Sequence, residues 1–458
     1  MNLTFLKHLT VLTLIFSFIS QSALAQEKPK NIIYLIGDGM GPGYISAYRY
    51  YKNQVADQTL SPTLFDQYLV GTASTRPKDE TWVTDSAASA TALSTGIKTY
   101  NGAVAVDAEQ QPLKTLFELA KEQQMRTGLA VTSSVTHATP ASFYAHQKSR
   151  RQAEEIATWL IDNSFAKKGA PIVDVVLGGG EKYFNLPQRH LLNELKALGF
   201  SHVSQLPQLS EVKQPPVIGL FAENGLPSAL NSSTAFLADM TTSALTLLNT
   251  DNKNGFVLLV EGSQIDWCGH ANDIACTMAE MQSFENAFEV ALNFAKQDKQ
   301  TLVVLTADHD TGGLSVGREK KYEWHSDKVA KVKMTARAFT ELNLKADYSE
   351  STTGQLIEQA WNEHIQLPLT RDELTPLVKA YADFNKAQDK QDKSLAYKQF
   401  NDHVKHVINR QTNTGWTTRG HTANDVGVFA FGPTSQIFVG HQDNTDIAKK
   451  LHSLVLAQ

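Results

Sequence analysis

The stretch NIIYLIGDG, residues 31–39, decides the fold class of this chain. It begins with an almost uninterrupted apolar run, which is typical of a strand buried on both faces of a parallel sheet. Runs of the same kind occur at 256–260 (FVLLV) and 301–305 (TLVVL). Each of the three runs leads into an acidic residue, and these residues are Asp38, Glu261 and Asp308.

The acidic residues that follow these runs predict a metal site. In open α/β sheets, functional groups collect beyond the carboxyl ends of the parallel strands. Carboxylates at three such ends would meet in one crevice, where their like charges would repel one another. Bound divalent cations are the simplest way to remove that repulsion.

Strand-like and helix-like stretches alternate over residues 26–315. This order predicts an α/β fold with a mostly parallel central sheet and helices on both of its faces. Residues 316–410 are instead rich in Lys, Asp, Gln and Ala at helical spacing, so we expect a helical insertion there. Further strands are expected at 127–132, 173–177, 217–221 and 426–431, and helices at 86–95, 113–123, 151–163, 275–297 and 445–456.

The first 25 residues indicate an exported protein. Lys7 is followed by an apolar stretch at 11–19 and by the small-x-small sequence ALA at 23–25, the pattern of a signal peptide. The apolar stretch is shorter than the roughly 20 residues that a membrane-spanning helix needs. We therefore expect a periplasmic or secreted protein, in which residues 26–458 form one α/β domain that contains the insertion.

The charge composition argues against nucleic acids and anionic membranes as binding partners. The chain has 42 basic and 47 acidic side chains and a formal net charge of −5. Such a balance gives no basic surface for nucleic acid or for an anionic membrane. No stretch after the signal peptide is long and apolar enough to predict a membrane span.

Cys268 and Cys276 are the two cysteines of the chain, and export would permit a disulfide between them. On one continuous helix they would lie about 12 Å apart along the axis, which is too far to bond. A bond would form only if the chain loops near residues 269–273. The sequence leaves both states open.

The segment TDSAASAT, residues 84–91, places Ser86 at the start of an alanine-rich helix. Asp and Ser are both good N-caps, so one interpretation gives Ser86 a purely structural role. The other makes Ser86 a nucleophile at the positive end of the helix, where phosphate oxygens are stabilised. No neighbouring histidine offers itself as a base, so a metal ion would have to stabilise the alkoxide.

Two further pairs are candidate metal ligands. Asp266 and His270 are four residues apart, so on a helix they would share a face and could bind one zinc ion. Asp308 and His309 are a weaker pair, because adjacent side chains diverge on a strand. Mixed ligation by His and carboxylate suits zinc, whereas ligation by oxygen alone suits magnesium.

Six motifs, taken together, resemble the alkaline phosphatase family. They occur in the family's order over residues 31–433 and are specific as a set, although the helical insertion is poorly covered. The motifs are GDGMG (37–41), TDSAASAT (84–91), HATP (137–140), EG (261–262) with Asp266 and His270, TADH (306–309) and GHT (420–422).

The resemblance implies hydrolysis of phosphate monoesters of many kinds through a covalent intermediate on Ser86. It implies that Arg150 holds the phosphate oxygens, and that the enzyme is a homodimer with two zinc ions and one magnesium ion. One zinc site would use Asp266, His270 and His421, the second Asp38, Asp308 and His309, and the magnesium site Asp38, Thr139 and Glu261.

Two residues beside the third metal site depart from one pattern of the family. Some bacterial members have aspartate where His137 stands and lysine where Trp267 stands, whereas the His and Trp pair resembles other bacterial members. Trp267 removes a cation that could contact phosphate through water, and His137 changes the surroundings of the third ion. We place both residues, together with Asp85, in the layer that supports the ligands. The identity and occupancy of the third ion stay open.

Three other functions fit the residues less well. A phosphodiesterase of the same superfamily typically has a threonine nucleophile and lacks the magnesium ligands. A sulfatase would need Cys or Ser followed by x-Pro-x-Arg, whereas Ala-Ala-Ser follows Ser86. A non-catalytic metal or phosphate binder would lack the nucleophile or a ligand, and none is missing. Small phosphate monoesters are therefore the expected substrates, and a phytase-like preference among them stays open.

Overall fold

A ten-stranded sheet lies at the centre of the structure, a computed structural model that describes residues 28–53, 60–163, 165 and 169–457. The predicted signal peptide lies outside the described residues. The strands are β1 (Asn31–Gly37), β2 (Leu69–Ser74), β3 (Arg126–Ser134), β4 (Val175–Gly179), β5 (Asn185–Leu186), β6 (Arg189–His190), β7 (Ser201–Val203), β8 (Val217–Leu220), β9 (Phe256–Gly262), β10 (Thr301–Ala307), β11 (Asp310–Thr311), β12 (Leu314–Val316), β13 (Thr414–Trp416), β14 (His421–Thr422), β15 (Val426–Phe431) and β16 (Gly440–Asp443).

The order of strands in the central sheet is β16-β2-β15-β10-β1-β9-β3-β4-β8-β7. Within it β15 runs antiparallel to both of its neighbours, and the remaining described pairs are parallel. The prediction of a mostly parallel sheet is confirmed. All seven predicted strands are present with small shifts at their ends, whereas β2, β7 and β16 were not predicted.

The strands β1, β9 and β10 form the middle of the core. Every residue of these strands is buried, which explains why their sequences are apolar without alternation. Burying each large apolar side chain there contributes about 1.5–3 kcal/mol. The functional groups at their carboxyl ends are therefore attached to the most deeply packed part of the core.

Helices flank the sheet, as predicted. The helices Phe236–Asn249 and Ile274–Asp298 pack on β9, and a second group that includes Ser86–Thr95 packs with the C-terminal helix. No helix in the described part of the chain is long and apolar enough to cross a membrane. The α-helices are Pro42–Asn53, Leu64–Tyr68, Ser86–Thr95, Leu116–Glu122, Ala138–Ala141, Ala153–Thr158, Leu191–Ala197, Phe236–Asn249, Gln264–Ala271, Ile274–Asp298, Ser326–Val329, Ala336–Leu344, Thr353–His364, Arg371–Lys386, Lys390–Thr412 and Asn444–Leu456, and the 3-10 helices are Glu181–Tyr183, Leu206–Glu211, Ala229–Asn231 and Ser435–Phe438.

The segment for which we expected a helical insertion contains five of these α-helices, between Ser326 and Thr412. Its two longest helices, Arg371–Lys386 and Lys390–Thr412, pack against each other. Phe339, Trp361 and Phe400 are buried together and give this layer an aromatic centre. The strand pair β12 and β13 joins the segment to the loops at the carboxyl end of the sheet.

Cys268 and Cys276 form a disulfide, with their Cα atoms 5.5 Å apart. One continuous helix would have kept them apart, but the chain turns between them. The helix Gln264–Ala271 ends at Asn272, whose φ is 55°, and Asp273 caps the next helix by accepting a hydrogen bond from the backbone N–H of Cys276. This settles the alternative that the sequence left open.

Candidate metal centre

The register of the sheet brings three acidic residues together. Gly37 on β1 pairs with Ala307 on β10, so Asp38 and Asp308 follow directly at the same level. Glu261 on β9 lies beside Ile36, close to the end of the same strand β1. All three carboxylates are fully buried, and their convergence is the arrangement that the sequence predicted.

A first cluster consists of Asp266, His270 and His421. The Nε2 atoms of His270 and His421 lie 3.3 and 3.6 Å from the two carboxylate oxygens of Asp266, and 3.2 Å from each other. The Nδ1 of His270 is 2.5 Å from the carbonyl oxygen of Arg419, and that of His421 is 2.8 Å from the carbonyl oxygen of Thr84. Each Nδ1–H therefore donates to a carbonyl, which leaves both Nε2 lone pairs facing the same point.

A second cluster consists of Asp38, Asp308 and His309. The Nε2 of His309 lies 3.5 Å from Oδ1 of Asp38 and 3.2 Å from Oδ2 of Asp308. The expectation that the adjacent side chains of Asp308 and His309 diverge is wrong, because β10 ends at Ala307 and the pleat of the strand no longer applies. The ring of His309 also stacks on that of His421 at 3.6 Å, so the two clusters are contiguous.

Ser86 lies beside the second cluster. Its Oγ is 3.2 Å from Nε2 of His309, and the residue is buried. The helix that begins at Ser86 is capped by Asp85, whose side chain accepts a hydrogen bond from the backbone N–H of Ala88. Capping therefore does not need the hydroxyl of Ser86, which is free to face the clusters at the positive end of the helix.

A third group lies on the other side of Asp38. Nδ1 of His137 is 3.9 Å from Oδ2 of Asp38, and ligand atoms of Asp38, His137 and Glu261 lie within 4.8 Å of one another. Thr139 follows His137 in a short helix at the end of β3, and its hydroxyl is buried without a hydrogen-bond partner in the described structure. The structure thus brings together every residue that the sequence analysis assigned to the three metal sites.

Buried polar atoms without partners concentrate in this centre. Among the described residues such atoms include both oxygens of Asp38, Oδ2 of Asp308 and Oε1 of Glu261. Buried polar groups are nearly always hydrogen-bonded, because leaving one unpaired costs about 1–3 kcal/mol. Acceptors that face one another across a small space fit cations, so the donor set matches the predicted metals.

The electrostatics of the centre agree with this interpretation. Burial raises the pKa of Glu261 to about 8 and that of Asp308 to about 7. Burial, with the neighbouring charge of Asp308, also raises the pKa of Asp38 well above its usual value. Burial lowers the pKa of His309 well below its usual value. The carboxylates thus lack sufficient compensating positive charge from the protein itself.

Arg150 supplies a cation at the edge of the centre. Its guanidinium donates one hydrogen bond to Oδ2 of Asp85 and another to Nε2 of His137, both at 3.1 Å. Burial, together with the charge of Arg150, lowers the pKa of His137 to about 3, so this ring is neutral. Trp267 stands edge-on to the ring of His137 with 6.0 Å between the centroids.

Similarity to known proteins shows the family of this chain. The family model described as alkaline phosphatase matches residues 29–456. The chain is 44% identical to alkaline phosphatase 3 of Bacillus subtilis over 429 residues, which cover 93% of this chain and 89% of that protein. The chain belongs to the alkaline phosphatase family. It is an enzyme that hydrolyses phosphate monoesters.

Solved structures agree with this assignment. A cold-active alkaline phosphatase from a psychrophilic Shewanella species superposes with a TM-score of 0.83 at 43% identity, over 93% of this chain and 99% of that one. The alkaline phosphatase of the Antarctic bacterium TAB5 gives a TM-score of 0.67 at 29% identity, over 94% and 99%. The fold of this alkaline phosphatase is therefore the fold of its family.

Thr311 is a residue of this alkaline phosphatase that the sequence analysis missed. Its hydroxyl donates to Oδ1 of Asp266 at 2.5 Å and lies 3.3 Å from Nδ1 of His309. One buried side chain thus contacts a candidate ligand of each cluster. An isolated threonine carries no motif, although its position just after TADH was a signal that it borders the site.

Proposed function

We propose that this alkaline phosphatase transfers the phosphoryl group to Ser86 and then to water. The observation that carries the proposal is the position of the Ser86 hydroxyl, 3.2 Å from Nε2 of His309 at the N-terminus of a helix. A helix N-terminus stabilises the oxygens of a bound phosphate, and a metal ion held by His309 would lower the pKa of a hydroxyl this close, so that it could act as a nucleophile.

We propose two zinc ions and one magnesium ion as cofactors. The first cluster would hold one zinc ion through Asp266, His270 and His421, and the second cluster the other through Asp38, Asp308 and His309. When bound, a pair of zinc ions supplies positive charge that lowers the pKa of the nucleophile and stabilises the attacking and leaving oxygens. The unpaired carboxylate oxygens support this assignment.

The chain's own residues would orient the metal ligands, bind the phosphate oxygens and carry the phosphoryl group. The carbonyls of Arg419 and Thr84 hold His270 and His421 in the tautomer whose Nε2 is unprotonated. Arg150 is oriented by Asp85 toward the Ser86 end of the helix, where its guanidinium would donate two hydrogen bonds to phosphate oxygens. Ser86 would carry the phosphoryl group between the two halves of the reaction.

For the third site we propose magnesium on oxygen ligands from Asp38, Thr139 and Glu261. Arg150 donates to Nε2 of His137, so the ring proton of this neutral histidine sits on Nδ1 and faces Asp38. His137 in this state is a donor and not a ligand. The TAB5 enzyme with one histidine replaced by aspartate holds magnesium in its site named M3, and we infer that His137 plays the corresponding role in this chain.

We also propose that the enzyme has broad substrate specificity, forms a homodimer and is exported. The contacts that the mechanism needs all fall on the phosphoryl group, so we expect turnover of many phosphate monoesters. The pattern of the first 25 residues supports export to the periplasm or beyond, and the family supports a homodimer. We treat residues 26–458 as one domain, because the candidate ligands run from Asp38 to His421.

Mapping the phosphorylated residue tests the proposal. The holoenzyme is quenched in acid during turnover of p-nitrophenyl phosphate, and its peptides are analysed by mass spectrometry. We expect phosphate on Ser86, none in Ser86→Ala, and a normal signal in the control Ser94→Ala, which changes another serine of the same helix. Full turnover by Ser86→Ala, with normal metal content, would contradict the role of Ser86.

A further inference from the structure

A large cavity adjoins the first cluster. It has a volume of about 1040 Å³ and lies between the helix Lys390–Thr412 and strand β13. Arg419 belongs to its lining, and the carbonyl oxygen of the same residue lies 2.5 Å from Nδ1 of His270. One end of the cavity is therefore a single residue away from a candidate zinc ligand.

The lining of the cavity is basic, although the whole chain is acidic. Five of the lining residues are Lys or Arg and two are His, against two acidic residues. The chain as a whole carries a formal net charge of −5. Such a local excess of positive charge attracts anions and raises their concentration near the site. The basic residues are Arg318, Lys379, Lys398, Lys405 and Arg419, with His403 and His406.

Part of this positive charge is uncompensated. Lys405 and Arg419 share one carboxylate, that of Asp402, at 3.0 and 2.8 Å, so this trio keeps one net positive charge. Lys398 is exposed, and its side chain has no ion pair or hydrogen bond within the described residues. A cavity with two positive charges to spare suits an anionic group such as phosphate.

The alcohol would leave from the first cluster, and Arg419 connects this cluster to the cavity. In an in-line transfer, the leaving oxygen departs opposite to the nucleophile. Ser86 contacts the second cluster, whereas His270 of the first cluster is 40% exposed and faces outward next to Arg419. The alcohol part of a substrate would therefore extend from the first cluster toward the cavity.

We propose that this cavity binds a second phosphate group on the alcohol part of the substrate. The inference rests on the proposed function and narrows it, because the enzyme would then favour monoesters whose alcohol carries another phosphate. Lys398 would contribute by its charge, and Trp416 would cover the apolar carbons between the two phosphates.

The test compares fructose 1,6-bisphosphate with fructose 6-phosphate as substrates of the zinc- and magnesium-loaded enzyme. Lys398→Glu should lower the ratio of their kcat/KM values by about fivefold, since a full charge is reversed near the second phosphate. Lys379→Glu should act in the same direction, because it reverses the charge of a lining lysine and leaves its ion-pair partner Asp383 unpaired. The control Lys390→Glu changes an exposed lysine of the same helix outside the cavity and should leave the ratio unchanged.

Hydrolysis of p-nitrophenyl phosphate, which has no second phosphate, separates the two proposals. We expect Lys390→Glu to hydrolyse it at the wild-type rate, and any loss in Lys398→Glu or Lys379→Glu to be smaller than their loss with fructose 1,6-bisphosphate. A ratio in both Lys398→Glu and Lys379→Glu equal to that of Lys390→Glu would overturn the second-phosphate site while the proposed function stands. A wild-type holoenzyme without activity on p-nitrophenyl phosphate would instead overturn the proposed function.

Discussion

The Nε2 atoms of His270 and His421 face each other at 3.2 Å, although the Nδ1 atoms of both rings are bound to backbone carbonyls. When both rings are neutral with their protons on Nδ1, the two Nε2 lone pairs repel each other at this distance. The nearby carboxylate of Asp266 adds further negative charge. A cation among the three groups turns this repulsion into coordination, and the predictions below depend on that interpretation.

Replacing His270 by alanine should remove the first zinc ion. We expect His270→Ala to weaken binding of one zinc equivalent by more than about 100-fold, because an inner ligand matters at least as much as the residues that support it. The measurement is zinc content after dialysis against a competing chelator. The control is His441→Ala, an exposed histidine outside the three groups. Two retained equivalents in His270→Ala would refute the assignment of the first cluster.

Thr311 should act as a positioning residue for both clusters. Thr311→Val keeps the shape of the side chain but removes the hydroxyl that contacts Asp266 and His309. We expect zinc affinity to fall by about 10–100-fold, and Thr311→Ser to recover most of it. Competition with a chromogenic chelator measures the affinity. If Thr311→Val unfolds earlier but binds zinc normally, the hydroxyl serves the fold alone.

Glu261 and Asp308 should lower the stability of the metal-free enzyme as the pH rises, whereas His309 and His137, whose pKa values are lowered, act in the opposite direction. Burial raises the pKa of Glu261 to about 8, so the folded state binds a proton between about pH 4.5 and 8 that the unfolded state has lost. Asp308 acts in the same direction, with a pKa raised to about 7. The unfolding free energy contributed by these groups is full below their unfolded pKa values and falls by a few kcal/mol as the pH rises to about 8.

Thermal unfolding at several pH values, with and without a chelator, measures this effect. Glu261→Gln should flatten the pH dependence of the metal-free enzyme, because its amide does not titrate. The metal-loaded enzyme should gain stability over the metal-free one as the pH rises, since the ligands must lose protons to bind. A metal-free enzyme whose slope is the same in Glu261→Gln would show that Glu261 does not titrate as described.

His137→Asp should strengthen magnesium binding at the third site. The substitution replaces a neutral ring, whose pKa is lowered to about 3, by a carboxylate beside Asp38, Thr139 and Glu261. Magnesium prefers oxygen ligands and negative charge. Activity titrated with magnesium after removal of loosely bound ions should show a lower half-saturation in the variant. His137→Asn, which adds an amide oxygen without charge, serves as the control, and an equal response of both variants would rule out the charge effect.

Much of the fold and of the candidate site was predictable from the sequence. The strands β1, β9 and β10 are long, apolar and followed at once by carboxylates, so one pattern gave both the sheet and the convergence of its ligands. The local sequence pattern did not predict the strands β2 and β16. The strand β2, LVGTAS, is half exposed and contains glycine, and the edge strand β16, GHQD, is polar. Their places in the sheet therefore depend on contacts distant in sequence.

The features that could not be predicted from the sequence depend on three-dimensional packing. The disulfide required the turn at Asn272 and Asp273, and the spacing of the cysteines alone allowed either state. The role of Thr311 required the side chains of two other segments to be in place. The basic cavity joins lysines of the helices between Ser326 and Thr412 to Arg419, and nothing in their spacing marks them as one surface.

Anomalous diffraction at the zinc edge, on crystals of the metal-loaded enzyme, tests the central claim most directly. The account predicts two zinc peaks, one among Asp266, His270 and His421 and one among Asp38, Asp308 and His309, with the hydroxyl of Ser86 beside the second. A zinc-loaded, active enzyme whose zinc peaks lie away from Ser86 would contradict it.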